Sequence, residues 1–202
     1  MAKYNVVIVG AGPAGIFAAL ELAERSNLRV LVVDRGRNIE KRICPARENS
    51  RICQKCTPCS LLCGWGGAGA FSDGKLTLSR EVGGQLTAYI DEKEFASVLD
   101  YVDKVYLRFG GTARIYGTDG ERVEELRKRA EKAELILVPS QVRHLGTDRC
   151  RDILRNIFDY LKERIEVRTL TAVDEILVKD RVARGVRLET GEEIESSFVI
   201  VA

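Results

Sequence analysis

Two largely apolar runs, at residues 6–9 and 28–33, enclose a glycine-rich turn and an amphipathic segment. Because neither run alternates between polar and apolar side chains, both are expected to be strands buried on both faces of a parallel sheet. Between the runs, apolar side chains recur at helical spacing, at Ile16, Ala19, Leu20, Leu22 and Ala23. The pattern therefore predicts a β-α-β unit whose helix covers the sheet that it leaves.

Three glycines and one acid occupy the ends of these predicted elements. Gly10 permits a tight turn after the first strand, Gly12 leaves room for a pyrophosphate near the backbone, and Gly15 lets the helix pack closely on the strand. Asp34 follows the second strand, where a carboxylate can accept hydrogen bonds from ribose hydroxyls. This order of features within about 30 residues predicts a dinucleotide site at the helix amino terminus.

Longer helical patterns follow in the middle of the chain. Helices are predicted over residues 92–109, 121–133 and 149–164. Gly110 and Gly111 end the first of these, and Thr147 or Asp148 is the expected N-cap of the last.

Strand patterns dominate from residue 165 onward. They are interrupted by turn signals at Asp180-Arg181 and Thr190-Gly191, which predict a β-meander, and residues 198–201 are again fully apolar. The expected fold is therefore α/β: a Rossmann-like dinucleotide-binding domain with a parallel sheet, an inserted helical cap region and a β-meander. The corresponding division is residues 1–80 for the nucleotide-binding unit, 81–148 for the cap, and 149–202 for the return to the first domain.

Composition and charge narrow the class of protein. The 202 residues carry 32 basic and 30 acidic side chains, a net charge of +2, so no general attraction to nucleic acid is expected. No apolar run approaches the ~20 residues that span a bilayer, and the first strand begins too early for a signal peptide to precede it. We therefore expect a cytoplasmic protein without a transmembrane segment, and no feature of the sequence specifies its oligomeric state.

Five of the six cysteines fall within residues 44–63. Cys53, Cys56, Cys59 and Cys63 have C-x2-C-x2-C-x3-C spacing, and Cys44 lies upstream of them. Two intervening residues let neighbouring sulfurs converge on one small centre. The spacing is that of a bacterial ferredoxin iron-sulfur site, although Gly64 replaces the proline expected after the fourth cysteine.

Three other states of these thiols stay open. Zinc could take Cys53, Cys56, Cys59 and either Cys44 or Cys63. A CxxC pair could instead exchange electrons with a nearby flavin as a redox dithiol, or the thiols could be free in a loop. The regular spacing favours a metal ion or cluster without identifying it.

A glycine-rich segment, GWGGAGAFSDGKLTLS, follows at residues 64–79. Such a loop presents backbone N–H groups to a ligand, and its Trp65 and Phe71 are poorly suited to solvent. We therefore expect it to lie along the far end of an extended dinucleotide. The candidate contacts are Gly66, Gly67, Ala68, Ser72 and Asp73.

The GAGPAG fingerprint at residues 10–15, the VVDRG at 32–36 and the cysteine and glycine segments together resemble a known family. They are similar to the poorly characterised FAD-dependent dehydrogenases of archaea and bacteria, relatives of geranylgeranyl reductase and of the two-dinucleotide-binding-domain flavoproteins. The resemblance is specific over the first eighty residues and diffuse afterwards.

This resemblance implies roles for individual residues. The FAD pyrophosphate would be held by the fingerprint residues Gly10, Gly12, Pro13, Ala14 and Gly15. Asp34 would bind the adenosine ribose, Arg35 and Thr171 would lie on the adenine side, and residues 66–73 would run beside the flavin.

His144 is the only histidine and lies in the segment RHLGTD, before the last predicted helix. In a loop it could donate a proton near neutral pH, with Arg143 holding an acidic substrate, although a structural role is the alternative. The resemblance assigns no role to this segment.

The implied function is that of an FAD-dependent oxidoreductase, which transfers hydride or electrons between the flavin and a small organic substrate. NAD(P)H or a ferredoxin-like protein would be the electron donor. Members of the resembled family continue past the final VIVA, so we expect the chain to be the amino-terminal half of a longer protein. The alternatives are an NAD-dependent dehydrogenase, which would not need the glycine loop, and a non-catalytic FAD- or metal-binding fragment.

Overall fold

The computed structural model describes residues 4–50 and 52–202. Two compact units are formed: residues up to Phe71 together with Leu154–Ala202, and the intervening segment Ser72–Ile153. The division into residues 1–80, 81–148 and 149–202 stays a prediction.

The elements of the described residues are as follows. The strands are β1 (Tyr4–Val9), β2 (Val30–Asp34), β3 (Lys75–Thr77), β4 (Val142–His144), β5 (Glu166–Thr169), β6 (Val173–Lys179), β7 (Val182–Leu188) and β8 (Glu193–Val201). The helices are α1 (Pro13–Arg25), α2 (Glu92–Arg108), α3 (Gly120–Lys132) and α4 (Thr147–Lys162). None of these helices is both long and apolar enough to cross a membrane.

A six-stranded sheet in the first unit has the order β5-β2-β1-β8-β7-β6. Its first four strands are parallel to one another, whereas β7 pairs antiparallel with both β8 and β6. The predicted α/β fold with a parallel sheet and a β-meander is confirmed.

Both faces of this sheet bury apolar side chains. A buried cluster on the sheet consists of Tyr4, Val7, Leu31, Val33, Val186, Leu188 and Ile194. The helix α1 contacts β1 and β2 and buries Ile16, Ala19 and Leu20. Successive side chains of a strand point to opposite faces of the sheet. The apolar runs of β1 and β2 therefore bury side chains on both faces, as their lack of alternation predicts.

The meander turns follow their local chemistry. Asp180 and Arg181, between β6 and β7, have φ values of 52° and 62°, and a two-residue turn with both φ values positive matches the twist of the flanking strands. Gly191 closes the next turn, where its N–H donates to the carbonyl of Leu188 at 2.9 Å. Both predicted turns are confirmed.

The second unit differs from expectation in two places. The strands β3 and β4 pair antiparallel where the sequence predicts loops, so His144 lies in a strand opposite Lys75. The helix α4 already includes Thr147 and Asp148, so the prediction that one of them is its N-cap is wrong. The Thr147 hydroxyl instead donates to the carbonyl of Ser72 at 2.9 Å.

Trp65, the only tryptophan, is fully buried in the first unit. Its Nε1–H donates to the carbonyl of Leu154 at 2.8 Å, and its ring meets Phe158 edge-on with centroids 5.1 Å apart. An aromatic side chain with both its ring and its polar atom engaged anchors the glycine-rich segment to α4.

We expect Trp65→Ala to lower the free energy of unfolding by about 3–5 kcal/mol, because it opens a large cavity and removes a buried hydrogen bond. Tyr89→Ala is the control: its side chain is 83% exposed, so a loss below about 0.5 kcal/mol is expected. Urea denaturation followed by circular dichroism measures both. Equal losses in the two variants would show that Trp65 is not an anchor.

Candidate functional site

A cavity of about 350 Å³ opens in the first unit, where β1, β2 and β8 end. It is lined by Val9, Gly10, Gly12, Val33, Asp34, Arg35, Leu62, Cys63, Gly67, Thr171, Ala172, Val173, Glu189, Val201 and Ala202. The carboxyl ends of parallel strands are where open α/β sheets bind ligands. The cavity therefore brings together six residues predicted to contact a cofactor, namely Gly10, Gly12, Asp34, Arg35, Gly67 and Thr171.

The turn between β1 and α1 depends on close backbone packing. Gly10 has a φ of 108°, which glycine adopts without strain, and its N–H donates to the carbonyl of Val33 at 2.8 Å. A Cβ on Gly15 would overlap the carbonyl of Gly10, and one on Gly10 would overlap the carbonyl of Ala202. These two glycines are therefore required by the fold itself.

Gly12 has a different environment. A Cβ built at this position has no heavy atom within 4 Å, so the residue faces open cavity space. Its carbonyl accepts the first hydrogen bond of α1, from Ile16 at 2.9 Å. Pro13 and Ala14 are exposed at the start of α1, where first-turn N–H groups have no acceptor within the helix and carry its positive dipole.

The carboxylate of Asp34 is fixed by two backbone donors. Its Oδ2 accepts from the N–H of Ala11 at 2.8 Å, and its Oδ1 accepts from the N–H of Gly36 at 2.7 Å. The carbonyl of Asp34 in turn accepts from the N–H of Thr171 at 2.8 Å. Since each carboxylate oxygen has further lone-pair capacity, Asp34 can still accept a hydrogen bond from a ligand hydroxyl.

Arg42 orders the segment that forms another part of the cavity wall. The side chain is only 1% exposed, and its donors reach the backbone carbonyls of Ser60, Leu61, Trp65 and Gly67 at 2.8–2.9 Å. A fixed, planar fork with five N–H groups suits this task. The positions of Leu62, Cys63 and Gly67 in the wall follow from this set of bonds.

The pKa of Arg42 depends on its burial and on a neighbouring charge. Burial is the main influence on its pKa and lowers it, whereas the nearby carboxylate of Asp34 acts in the opposite direction. Arginine stays protonated in proteins, so the guanidinium of Arg42 is a positive charge behind the cavity wall. The sequence did not identify Arg42 as a buried residue, because residues 35–47 contain several basic side chains that are exposed in the structure. A local feature that could have indicated its burial is the apolar Ile39, three residues earlier.

The glycine segment lies directly against the β1–α1 turn. The N–H of Gly66 donates to the carbonyl of Ala11 at 2.8 Å, and a Cβ on Gly67 would lie 3.1 Å from the Cα of Gly12. Gly66 and Ala68 do not line the cavity, although both belong to the same unit. Ser72 and Asp73 are exposed residues of the second unit.

The cysteines do not assemble as a ligand set. Cys53 and Cys56 are exposed, whereas Cys44, Cys59 and Cys63 are half-buried. Within residues 4–50 and 52–202, no group of three or more His, Cys, Asp or Glu side chains is arranged to hold a metal ion. The iron-sulfur or zinc site thus has no support from this geometry and stays a prediction.

His144 and Arg143 lie in the second unit, on β4. The Arg143 side chain is 2% exposed; its Nε and Nη2 donate to both carboxylate oxygens of Asp103 at 2.7 Å, and these bonds raise its pKa. Arg143 is therefore engaged within the unit and not available to hold an acidic substrate. His144 is exposed, with its ring edge-on to Tyr116 and 6.5 Å between centroids.

Comparison with known proteins supports a nucleotide-binding fold. Residues 4–51 match the family described as pyridine nucleotide-disulphide oxidoreductase. An uncharacterised protein of Clostridium beijerinckii is 30% identical over 201 residues, which cover 99% of this chain and 31% of that protein. The chain thus spans about a third of that relative's length.

Two solved structures share the fold over nearly the whole chain. The 3-ketosteroid-Δ4-(5α)-dehydrogenase of Rhodococcus jostii has a TM-score of 0.57 at 15% identity, covering 98% of this chain and 45% of that enzyme. The glycine oxidase of Geobacillus kaustophilus has a TM-score of 0.54 at 14% identity, covering 100% of this chain and 55% of the oxidase. At such identities the likeness concerns the fold, which is the Rossmann-type α/β fold of FAD-binding oxidoreductases. The link to geranylgeranyl reductase stays a prediction.

Replacement of Arg42 tests its role in ordering the wall. We expect Arg42→Met to lower the free energy of unfolding by about 2 kcal/mol or more, because hydrogen bonds from a charged donor contribute about 1.5–3 kcal/mol each and several buried carbonyls would lose their partner. Arg42→Lys should restore little of this, since an ammonium cannot reproduce the planar fork.

The control for Arg42 is Lys41→Met, which removes the same charge from the adjacent exposed side chain. Thermal and urea denaturation of the variants should leave Lys41→Met within about 0.5 kcal/mol of the parent chain. A similar small effect for Arg42→Met would mean that water or other donors satisfy these carbonyls equally well.

Proposed function

We propose that this chain binds FAD in the cavity at the ends of β1 and β2 and forms the dinucleotide-binding part of a flavin oxidoreductase. The family match and the fold support this proposal. One combination of features carries it: Gly12 is open to the cavity, and the Asp34 carboxylate, which also lines the cavity, is fixed by two backbone donors. The cavity also lies within the ~300–1,000 Å³ range typical of ligand pockets.

The residues at the start of α1 fit a pyrophosphate. A side chain at Gly12 would fill the space that the phosphates need, and the free first-turn N–H groups of Ala14 and Gly15 would donate to phosphate oxygens. Pro13 has no N–H to contribute and fixes the backbone for the first helical turn. Gly10 and Gly15 act by keeping this turn compact.

The opposite side of the cavity fits an adenosine. Asp34 would accept hydrogen bonds from ribose hydroxyls while its backbone partners hold its orientation. Arg35 and Thr171 would border the adenine, with the apolar Ala172 and Val173 beside them. At the flavin end, the proposed contacts are Gly66, Gly67, Ala68, Ser72 and Asp73, of which Gly67 lines the cavity.

Bound FAD supplies hydride or electron transfer to and from a small organic molecule. The protein residues described here would bind and orient the cofactor. Catalysis by the whole protein, with NAD(P)H or a ferredoxin-like protein as electron donor and His144 as a proton donor, is likewise proposed. The chain spans about a third of the length of its relative from Clostridium beijerinckii. The cytoplasmic location is likewise part of the proposal.

An NAD-dependent dehydrogenase is the competing function, because its fingerprint would use the same Gly12 and Asp34. The absorption spectrum of the purified chain discriminates between the two. A bound flavin gives a yellow protein whose visible band bleaches on reduction, whereas a protein that stays colourless when supplied with FAD, and instead binds NAD, contradicts our proposal. Metal analysis of the same sample tests the predicted zinc or iron-sulfur centre.

Gly12→Val should weaken FAD binding by about 10- to 100-fold, the equivalent of ~1–3 kcal/mol, because its side chain would occupy the pyrophosphate space. Stability should change little, since nothing in the protein lies within 4 Å of the added Cβ. Titration monitored by flavin fluorescence gives the affinity, and denaturation gives the stability.

Gly120→Val is the matched control, because its Cβ also meets no heavy atom within 4 Å, and Gly120 belongs to the second unit and is not among the residues that line the cavity. It should leave FAD affinity unchanged. Equal affinities for Gly12→Val and Gly120→Val would place the pyrophosphate elsewhere.

A further inference from the structure

The strand β6 forms one edge of the six-stranded sheet, and its side chains are exposed or half-buried. Within residues 4–50 and 52–202 it pairs only with β7. The register leaves Asp174 without a partner on β7, whereas each of residues 175–179 has one. The outer side of these five residues therefore presents a regular row of backbone N–H and C=O groups, which can pair with a further strand.

A row of alternating charges crosses the sheet towards this edge. Glu193 on β8, Arg187 on β7 and Glu175 on β6 are in register with one another. The Arg187 guanidinium donates to Glu193 through Nη2 at 2.9 Å and to Glu175 through Nη1. The row therefore ends at the sheet edge on an acid, beside which a basic group would continue the alternation.

A second row, on the other face of β6, is apolar. Ile194, Val186 and Ile176 are in register across the same three strands. Val186 and Ile194 are buried in the core cluster, whereas Ile176 at the edge is 39% exposed. Val178 lies two residues further along β6, on the same face as Ile176, and is 64% exposed. The apolar layer therefore also reaches the edge without being covered there.

Lys179 provides the basic group that the charged row lacks. It lies four residues after Glu175, so both side chains point to the same face of the sheet. Its ammonium has no ion-pair partner in the part of the chain that the structure describes. An antiparallel copy of β6 centred on Leu177 would place Lys179 opposite Glu175, and Val178 opposite Ile176.

We propose that β6 is a self-association edge, which pairs antiparallel with β6 of a second copy of this chain about a two-fold axis at Leu177. Directly opposite side chains lie about 5 Å apart in such a pair, so both rows continue across the interface. The two-fold axis repeats each contact, which gives two pairs of Glu175 with Lys179 and two of Ile176 with Val178.

The chemistry of β6 favours a second copy over an unrelated strand, because β6 itself carries both members of each pair. It also favours one register. An antiparallel pairing centred on Ile176 would place Glu175 opposite Leu177 and Asp174 opposite Val178, so acids would face apolar side chains.

The dimer is expected to be weak and reversible. Only five residues of each copy pair regularly, and Asp174 of one copy lies opposite Asp180 of the other at each end. An interface of this length falls below the ~1,200 Å² that stable complexes bury. Residues 175–179 do not line the proposed cofactor cavity, so association should not require FAD.

The first test is sedimentation velocity of the parent chain over a series of micromolar concentrations, which should shift from monomer to dimer. Lys179→Glu places like charges opposite each other twice, so it should weaken the dimer at least about tenfold. The control Lys132→Glu makes the same change of charge at an exposed lysine of α3, in the second unit, and should leave the dissociation constant unchanged.

The second test exchanges the charges between two chains. Glu175→Lys alone places lysine opposite Lys179, so it should also dimerise weakly. Mixed with Lys179→Glu, it places an acid opposite a base in both pairs, and the mixture should associate about as tightly as the parent chain. Circular dichroism first establishes that each variant is folded.

Three results would overturn the proposal. These are a parent chain that stays monomeric throughout the series, a dimer that Lys179→Glu and Lys132→Glu affect equally, and folded charge-reversed variants that fail to associate when mixed. If Glu175→Lys does not fold, the comparison of Lys179→Glu with Lys132→Glu decides alone.

Discussion

The guanidinium of Arg42 donates to backbone carbonyls along residues 60–67, a segment made of turns. Buried carbonyls outside helices and sheets need other donors, and a charged donor provides strong bonds in a setting from which water is excluded. The same burial makes the cation costly to hold, which the several acceptors offset. The wall that carries Cys63 and Gly67, and its contact with the β1–α1 turn, depend on this one side chain.

Local patterns predicted β1, α1, β2 and the turns of the meander well, because strand, turn and helix signals act over a few residues. Gly15 and the turn at Asp180-Arg181 were identified by backbone requirements that nearby residues impose. Gly10 was identified from its turn, although the carbonyl of Ala202 also leaves no room for a Cβ there. The pairing of β3 with β4 was missed because it joins Lys75 to a strand almost seventy residues later. Arg42 was missed for the same reason, since its acceptors become neighbours only after folding.

In the cysteine segment, regular spacing along the sequence does not bring the side chains together as a ligand set in the described part of the structure. Regular spacing places thiols on successive turns, but the direction of each sulfur depends on the surrounding structure. Here Cys53 and Cys56 are exposed, while the turn from Cys59 brings Cys63 to the cavity. The sequence therefore identified a segment rich in thiols without identifying which of these residues lines the cavity.

The pairing of β1 with β8 has a consequence for how the protein reaches its fold. Val6 pairs with Phe198, so two adjacent strands of the sheet come from opposite ends of the described chain. Contacts of such long sequence separation form late and slowly, because loop closure costs entropy before the contacts are gained. Until β8 arrives, the edge of β1 that will pair with it presents unpaired backbone groups to other chains. The cavity, whose lining runs from Val9 to Ala202, is completed only at that step, so a ligand that binds there, such as the proposed FAD, would select the finished sheet from earlier folding states.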